Sequence, residues 1–205
     1  MRFFILTLFF LLVVTTYQLQ AADPVLDLIE QGKNAYQQKD FKQAHDLLQQ
    51  ALGKINEKLS ASFKPFLPEA PAGWTGEEAD SRSMSFSAPD GNVRVTEAKQ
   101  RFVNDAGTQT VQVTITNTPE ILKPYQQMAQ AMQAPMMKEM MDQQGVVKTE
   151  NRAGWYIIVE ETSSDTFKLT AVHEKVVVVI SGADSEETSR KFLRNIDLRK
   201  LARHT

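Results

Sequence analysis

The stretch KVVVVISG, residues 175–182, holds five consecutive apolar residues from position 176 to position 180. A short β-branched run of this kind is typical of a strand whose two faces are both covered, so we expect a central strand of a sheet here. The earlier stretch TVQVTIT, residues 110–116, instead alternates valine and isoleucine with polar residues. That period of two predicts a strand with one buried face and one face that can meet water.

These strands belong to a predicted domain over residues 83–205. Two strands surround a turn at 104–107, a helical region covers 120–143 and further strands follow. A closing helix is expected over 185–195, with Asp184 or Ser185 as its cap. The links between the late strands are too short for parallel crossovers. We therefore predict an α+β fold in which a mainly antiparallel sheet carries packed helices.

The segment before this domain has a helical period. Asp23 and Pro24 are favoured residues at the start of a first helix, and Asp40 can cap a second one. The apolar residues of the second helix recur at steps of three and four, which predicts an amphipathic stripe. The stripe consists of Phe41, Ala44, Leu48, Ala51, Ile55 and Leu59. Residues 23–64 are therefore predicted to form an antiparallel helical hairpin.

A segment of different composition separates the helical hairpin from the sheet domain. The stretch FLPEAPAGWTGEEAD, residues 66–80, is rich in proline and glycine and contains Trp74. We predict that residues 65–82 form a linker. Its prolines restrict the backbone between the hairpin and the sheet, and the Trp74 ring is buried where the two parts join.

The hairpin resembles one tetratricopeptide repeat in the stretch GKNAYQQKDFKQAHDLLQQAL. Gly32, Ala44 and Ala51 stand where that repeat places small residues, and Lys39 replaces the glycine of its turn. Arrays of such repeats need about three copies to be stable, and only one is visible here. The stripe is therefore expected to pack against the rest of this chain or against a second copy of it.

The whole layout is similar to a group of uncharacterised exported proteins of Gram-negative bacteria. The features that carry this resemblance are an N-terminal signal, the repeat-like hairpin, the LPEAPAGW junction and an α+β domain ending in NIDLRKLA. The resemblance implies no catalytic residues. The sheet domain also resembles, at the level of fold, a PsbP/Mog1-like α-β-α sandwich.

Residues 1–22 are predicted to be a cleaved signal peptide. Arg2 precedes an apolar run of Phe3 to Val14, which is shorter than the roughly 20 residues that a membrane-spanning helix needs. Cleavage after Ala21 or Ala22 would leave a periplasmic chain with no integral membrane segment. The formal net charge of −2 gives no general attraction to nucleic acid, and the absence of cysteine excludes disulfides and thiolate chemistry.

No catalytic motif is evident. His45, His173 and His204 are far apart in the sequence and lack the spacing of a zinc site. The sequence has no nucleophile elbow and no glycine-rich phosphate loop. We therefore predict no catalytic residue and no cofactor, and an enzyme with an unrecognised active site remains the alternative.

The segment after position 124 is unusually rich in methionine. It can form core packing, an adaptable apolar binding surface or a Cu(I) site, because thioethers are flexible and are soft ligands. The Cu(I) candidates are Met132, Met136 and Met140. The predicted binding surface consists of Tyr125, Met128, Met132, Met136, Met137, Met140 and Met141.

Together these patterns predict a non-catalytic periplasmic interaction or ligand-binding protein. The expected partner is an unidentified protein or a small apolar ligand, and a homodimer formed through the hairpin is one such arrangement. A methionine-rich Cu(I)-binding protein is the second alternative to this prediction.

The methionine alternatives can be separated by one variant, M132L/M136L/M140L. Leucine roughly conserves the side-chain volume, so we expect each substitution to cost less than about 1.5 kcal/mol of stability. We also expect a competition titration of the original chain to show no Cu(I) binding tighter than micromolar. A stoichiometric, tight Cu(I) complex that is lost in the leucine variant would instead show metal handling.

Overall fold

The computed structural model describes residues 23–88, 91–131, 146–162 and 165–204. The chain divides into two compact units, Met1–Ile55 and Asn56–Thr205. The predicted signal peptide and most of the methionine-rich segment lie outside the described residues.

The first helices form as their capping residues predict. Helix α1 is Pro24–Gln37, and the Asp23 carboxylate accepts a hydrogen bond of 2.9 Å from the backbone N–H of Val25. Helix α2 is Phe41–Phe63. Asp40 caps it, because its side chain accepts a 3.0 Å hydrogen bond from the N–H of Gln43. Between the helices Lys39 lies at φ 65°, a conformation in which glycine is more often found.

Small side chains lie where α1 and α2 cross. Gly32 and Ala35 of α1 are buried, as are Ala44 and Ala51 of α2. A Cβ atom added at Gly32 would lie 3.1 Å from the side chain of Leu48, so a larger residue there would force the helices apart. The tetratricopeptide-like spacing thus marks a close helix crossing.

The second unit is built on one eight-stranded sheet in which all paired neighbours are antiparallel. The strands are β1 (Trp74–Gly76), β2 (Asp80–Ala88), β3 (Gly91–Asn104), β4 (Thr110–Thr116), β5 (Val146–Arg152), β6 (Trp155–Glu161), β7 (Phe167–Val172) and β8 (Val177–Ala183). Their order is β1-β3-β4-β8-β7-β6-β5, and β2 also pairs with β3. Strand β8 is central, as its apolar run predicts.

Helices cover the sheet on both faces. Helix α3 (Pro119–Ala131) contacts β7, while α4 (Glu186–Arg194) contacts β7 and β8 and is followed by α5 (Leu198–His204). Strand β6 explains why two layers are needed. Its Ile157 belongs to the larger core, with Phe192 of α4, whereas its neighbour Ile158 belongs to the smaller core under α3.

The α+β prediction is confirmed, with two differences in detail. The predicted linker contains a 3₁₀ turn (Lys64–Phe66), strand β1 and the start of β2. Strand β1 is held by its pairing with β3, and three-residue elements such as β1 and the 3₁₀ turn leave no period in the sequence. The closing helix is capped by Ser185, one of its two predicted caps, but the additional helix α5 follows it. Trp74 is partly buried, and its ring meets Phe192 edge-on at 5.2 Å.

Gly182 lies where the end of β8 approaches the backbone at the start of β4. Its φ is 85°, and a Cβ atom placed there would lie 2.4 Å from the backbone oxygen of Thr110. Both the positive φ and the contact distance exclude a side chain without movement of the backbone. This glycine therefore fixes the end of β8 against the start of β4.

We expect Gly182→Ala to destabilise the chain by about 2–4 kcal/mol, because the added methyl group meets backbone and the φ is strained. The matched control is Gly107→Ala, which has a φ of 69° but no atom within 4 Å of the new Cβ. This control should cost about 1 kcal/mol from strain alone. Urea unfolding of the two variants measures the difference, and equal losses would contradict the close-approach argument.

Candidate functional site

A cleft of about 660 Å³ opens on the face of the sheet that carries α4 and α5. Its walls are the β5–β6 turn on one side and the corner between α4 and α5 on the other. Its floor belongs to the larger core, because the floor residues are at most 6% exposed. These residues are Trp155, Ile157, Leu193 and Ile196.

The β5–β6 turn places Arg152 at the rim of the cleft. Arg152 pairs with Trp155 across the hairpin, which leaves Ala153 and Gly154 as a two-residue loop. Both loop residues have positive φ, 51° and 83°, as a tight turn between twisted strands requires. Ala153, which also lines the cleft, adopts this conformation without the freedom of glycine.

Arg190 of α4 forms a fixed part of the wall. Its two terminal nitrogens donate to the two oxygens of Glu150 at 3.0 and 3.2 Å, and its Nε donates to Glu186 at 2.6 Å. Burial opposes the charged form of Arg190, but these two carboxylates outweigh burial and raise the pKa of Arg190 above its ordinary value. The ion pairs hold α4 against β5.

Three further arginines line the cleft without such partners. Arg152, Arg194 and Arg199 are exposed, and none of them makes an ion pair with any other described residue. The one carboxylate in the lining is Asp197, which accepts a hydrogen bond of 3.0 Å from the backbone N–H of Lys200. A shallower depression lined by Asp197, Arg199, Lys200 and Arg203 lies next to the cleft. The cleft therefore has a surplus of positive charge.

A second feature is an apolar surface on the hairpin, here called the hairpin face. Its α1 members Ile29 and Tyr36 follow the buried Val25 and Gly32 by four residues, and its α2 members Leu48 and Ile55 follow Ala44 and Ala51 by four residues. Four residues rotate a helix position by about 40°. Because the helices are antiparallel, this rotation turns both sets toward the same side of the hairpin. The hairpin face consists of Leu26, Ile29, Tyr36, Phe41, Leu48, Leu52 and Ile55.

The hairpin face contains Phe41, Leu48 and Ile55 of the predicted stripe, which the sequence analysis expects to be covered by the rest of this chain or by a second copy. The predicted stripe is buried at Ala44 and Ala51, but Phe41 is 60% exposed and Leu48 is 42% exposed. Periodicity identifies which residues share a side of a helix, but it does not tell whether that side is covered. Tyr36 and Phe41 contact each other with ring centroids 5.4 Å apart, so they join the two helices across the face.

The predicted methionine surface is only partly described. Tyr125 and Met128 are partly buried against the smaller core, beside Leu122. The ammonium group of Lys168 lies 5.3 Å from the centre of the Tyr125 ring. In these two positions the side chains contribute to packing. Met132, Met136, Met137, Met140 and Met141 lie outside the described residues, so the choice among core, surface and Cu(I) site at those positions stays a prediction.

The histidines lie in three separate places. His45 is exposed on α2 with Nδ1 3.2 Å from Asp46, and His173 packs against the Trp155 ring at 5.1 Å. His204 ends α5 with Nε2 3.0 Å from the hydroxyl of Ser62. Within the described ranges there is no group of three or more histidine, aspartate or glutamate residues that could hold a metal ion.

The arginine cleft was not identified from the sequence. Its cations come from the stretches NRAGW and RKFLRNIDLR, about 40 residues apart, and only the sheet pairing brings β5 to α4. The one local signal is that Arg190 and Arg194 lie one helical turn apart. The small apolar ligand expected from the methionines does not match the charged rim of this cleft.

Comparison of the chain with protein-family models, with curated proteins and with solved structures gave no match. The likeness to exported Gram-negative proteins and to the PsbP/Mog1-like sandwich therefore stays a prediction. Of the helices in the described part of the chain, none is long and apolar enough to cross a membrane.

The Glu186–Arg190 pair predicts an acid-dependent contribution to stability. The hydrogen bond from Arg190 outweighs partial burial and holds the pKa of Glu186 below its ordinary value of 4.5. The carboxylate therefore stabilises the folded chain fully above pH 4.5, and this contribution is lost as the pH falls through the lowered pKa. We expect Glu186→Gln to cost on the order of 1 kcal/mol at pH 7, and the cost to shrink below pH 4.

Urea unfolding at pH 7 and at pH 3.5 measures this change. The matched control is Glu187→Gln, one residue along the same helix, whose side chain is 77% exposed and lies 3.7 Å from Lys191. The control should change stability little at either pH. A cost for Glu186→Gln that is the same at both pH values would contradict the assigned pairing.

Proposed function

We propose that this chain is a non-catalytic periplasmic interaction protein that associates with a second copy of itself through the hairpin face. The observation that carries the proposal is the exposure of seven large apolar side chains on one side of a two-helix element. Exposed apolar patches of this size on a folded chain are typical of surfaces that bind another protein.

The extent of the hairpin face supports a stable association. Large apolar side chains each have surface on the order of 200 Å², so the seven, which are about half exposed on average, offer on the order of 700 Å². A standard interface buries about 800 Å² on each partner. The aromatic pair of Tyr36 and Phe41 adds the residue types that are enriched in interface centres.

The spacing on α2 favours a helix as the occupant. Leu48, Leu52 and Ile55 recur at steps of four and three, which is the spacing of the apolar seam in paired helices. A single hairpin cannot form the concave peptide groove of a multi-repeat array. A partner that presents a matching helical face is therefore favoured over an extended peptide.

The charges bordering the hairpin face favour an identical partner. Lys33 pairs with Glu30 on its own helix at 3.1 Å, and residues 24–55 contain four lysines and four carboxylates. These charges balance within the hairpin, so they would not select a strongly acidic or basic protein as the partner. A second copy supplies the same apolar face. In a dimer with a two-fold axis, the hairpin face of each copy would be buried against the hairpin face of the other.

The test uses the mature chain and the variant L48D/L52D. Both leucines are two-fifths or more exposed, so the monomer should stay folded, with a loss on the order of 1–2 kcal/mol because Leu48 also packs beside Gly32. Burying two aspartates in an interface should weaken association at least about 100-fold. Sedimentation velocity over a concentration series measures the dimer dissociation constant, and circular dichroism checks the fold.

The matched control is Q43D/Q50D, which places two aspartates at exposed positions on the opposite side of α2, two helical turns apart. This control should dimerise like the original chain. A chain that is monomeric at ~100 μM would contradict the proposal, because a standard interface binds more tightly than that. Dimers that persist in L48D/L52D, or dissociate equally in the control, would place the interface elsewhere.

A further inference from the structure

We infer that the arginine cleft binds an oxyanion, either carboxylate or phosphate, carried on a small apolar body. This site lies wholly within Asn56–Thr205 and is independent of association through the hairpin face. The inference starts from charge. The whole chain has a net charge of −2, yet three arginines without ion pairs among the described residues face one carboxylate in a single cleft.

Arginine is suited to this ligand chemistry. Its planar guanidinium offers paired N–H donors that match two oxygens of a carboxylate or phosphate, and it stays charged at every physiological pH. Arg152 comes from a tight strand turn, while Arg194 and Arg199 come from two successive helices. Three separate elements thus bring cations to one cleft, whereas a solvated helix face would carry them along one element.

The wall of the cleft is held before any ligand arrives. Arg190 makes three hydrogen bonds to Glu150 and Glu186, so β5 and α4 are tied together next to the free arginines. The corner between α4 and α5 is held by two backbone hydrogen bonds. The N–H groups of Asn195 and Ile196 donate to the carbonyl oxygens of Phe192 and Leu193, respectively. A rigid site of this kind loses less conformational entropy when it binds a ligand.

The size and floor of the cleft indicate what carries the anion. About 660 Å³ lies within the range of pockets that enclose small organic ligands, and it exceeds what a bare inorganic ion needs. The floor consists of Trp155, Ile157, Leu193 and Ile196, against which an apolar or aromatic body can lie. The ligand is therefore expected to have a charged head at the rim and an apolar body toward the floor.

Calorimetric titration of the mature chain with four probes tests this site. The probes are phenyl phosphate, benzoate, inorganic phosphate and the neutral benzyl alcohol. We expect saturable binding of phenyl phosphate or benzoate at one site per chain, with a dissociation constant of roughly 1 mM or tighter. Inorganic phosphate should bind more weakly and benzyl alcohol should not saturate, and the two aryl anions distinguish phosphate from carboxylate.

The variant R152Q/R194Q should weaken that binding at least about tenfold, because charge-assisted hydrogen bonds are lost. The control R82Q/R101Q removes the same charge from exposed positions on β2 and β3. Its dissociation constant for the aryl anion should stay within about twofold of that of the original chain. If R152Q/R194Q lowers the melting temperature, R199Q in the first turn of α5 replaces it, with the same direction expected.

Several results would overturn the inference. The absence of saturable binding by both aryl anions would remove the site. If R152Q/R194Q and R82Q/R101Q weakened anion binding equally, the binding would be a general effect of net charge and not a property of the cleft. Inorganic phosphate that binds as tightly as phenyl phosphate would exclude the apolar body.

Discussion

The sheet of the second unit carries apolar side chains on both faces, and this constraint determines the rest of that unit. On β6, Ile157 and Ile158 are neighbours that point into different cores, and both are at most 1% exposed. One layer of helices cannot bury both. Helix α3 therefore covers one face, and α4 with α5 covers the other. The arginine cleft lies where that second cover turns a corner, so it follows from the same requirement.

The hairpin follows a different principle. Its small residues bring two helices into close contact, which leaves the large apolar residues on the outside. Two helices alone have no interior in which side chains such as Phe41 or Leu52 could be buried. The second unit completes its own core, whereas the hairpin reaches comparable burial only by meeting a further surface. The two units thus carry two different surfaces, one apolar and one cationic.

Much of the fold could be predicted from the sequence, because its signals are local. The run at 176–180 predicted the central strand, and Asp23, Asp40 and Ser185 predicted helix starts that the capping hydrogen bonds confirm. Strand β1 and helix α5 are too short to show a period. The cleft depends on β5 lying beside α4, a long-range pairing that no local pattern encodes. What covers the hairpin face could not be predicted, because amphipathic spacing is the same for a covered and an uncovered helix.

The ends of the second unit lie side by side. The hydroxyl of Ser62, near the end of α2, is 3.0 Å from Nε2 of His204, and the ring of His204 also contacts Phe63 and Phe66. A unit whose first and last elements meet can be reconnected there by a short linker and opened elsewhere without changing its contacts. The exposed β3–β4 turn around Gly107 is a natural place for the new ends. The same sheet could thus form from a chain in which the strands follow one another in a different sequence order.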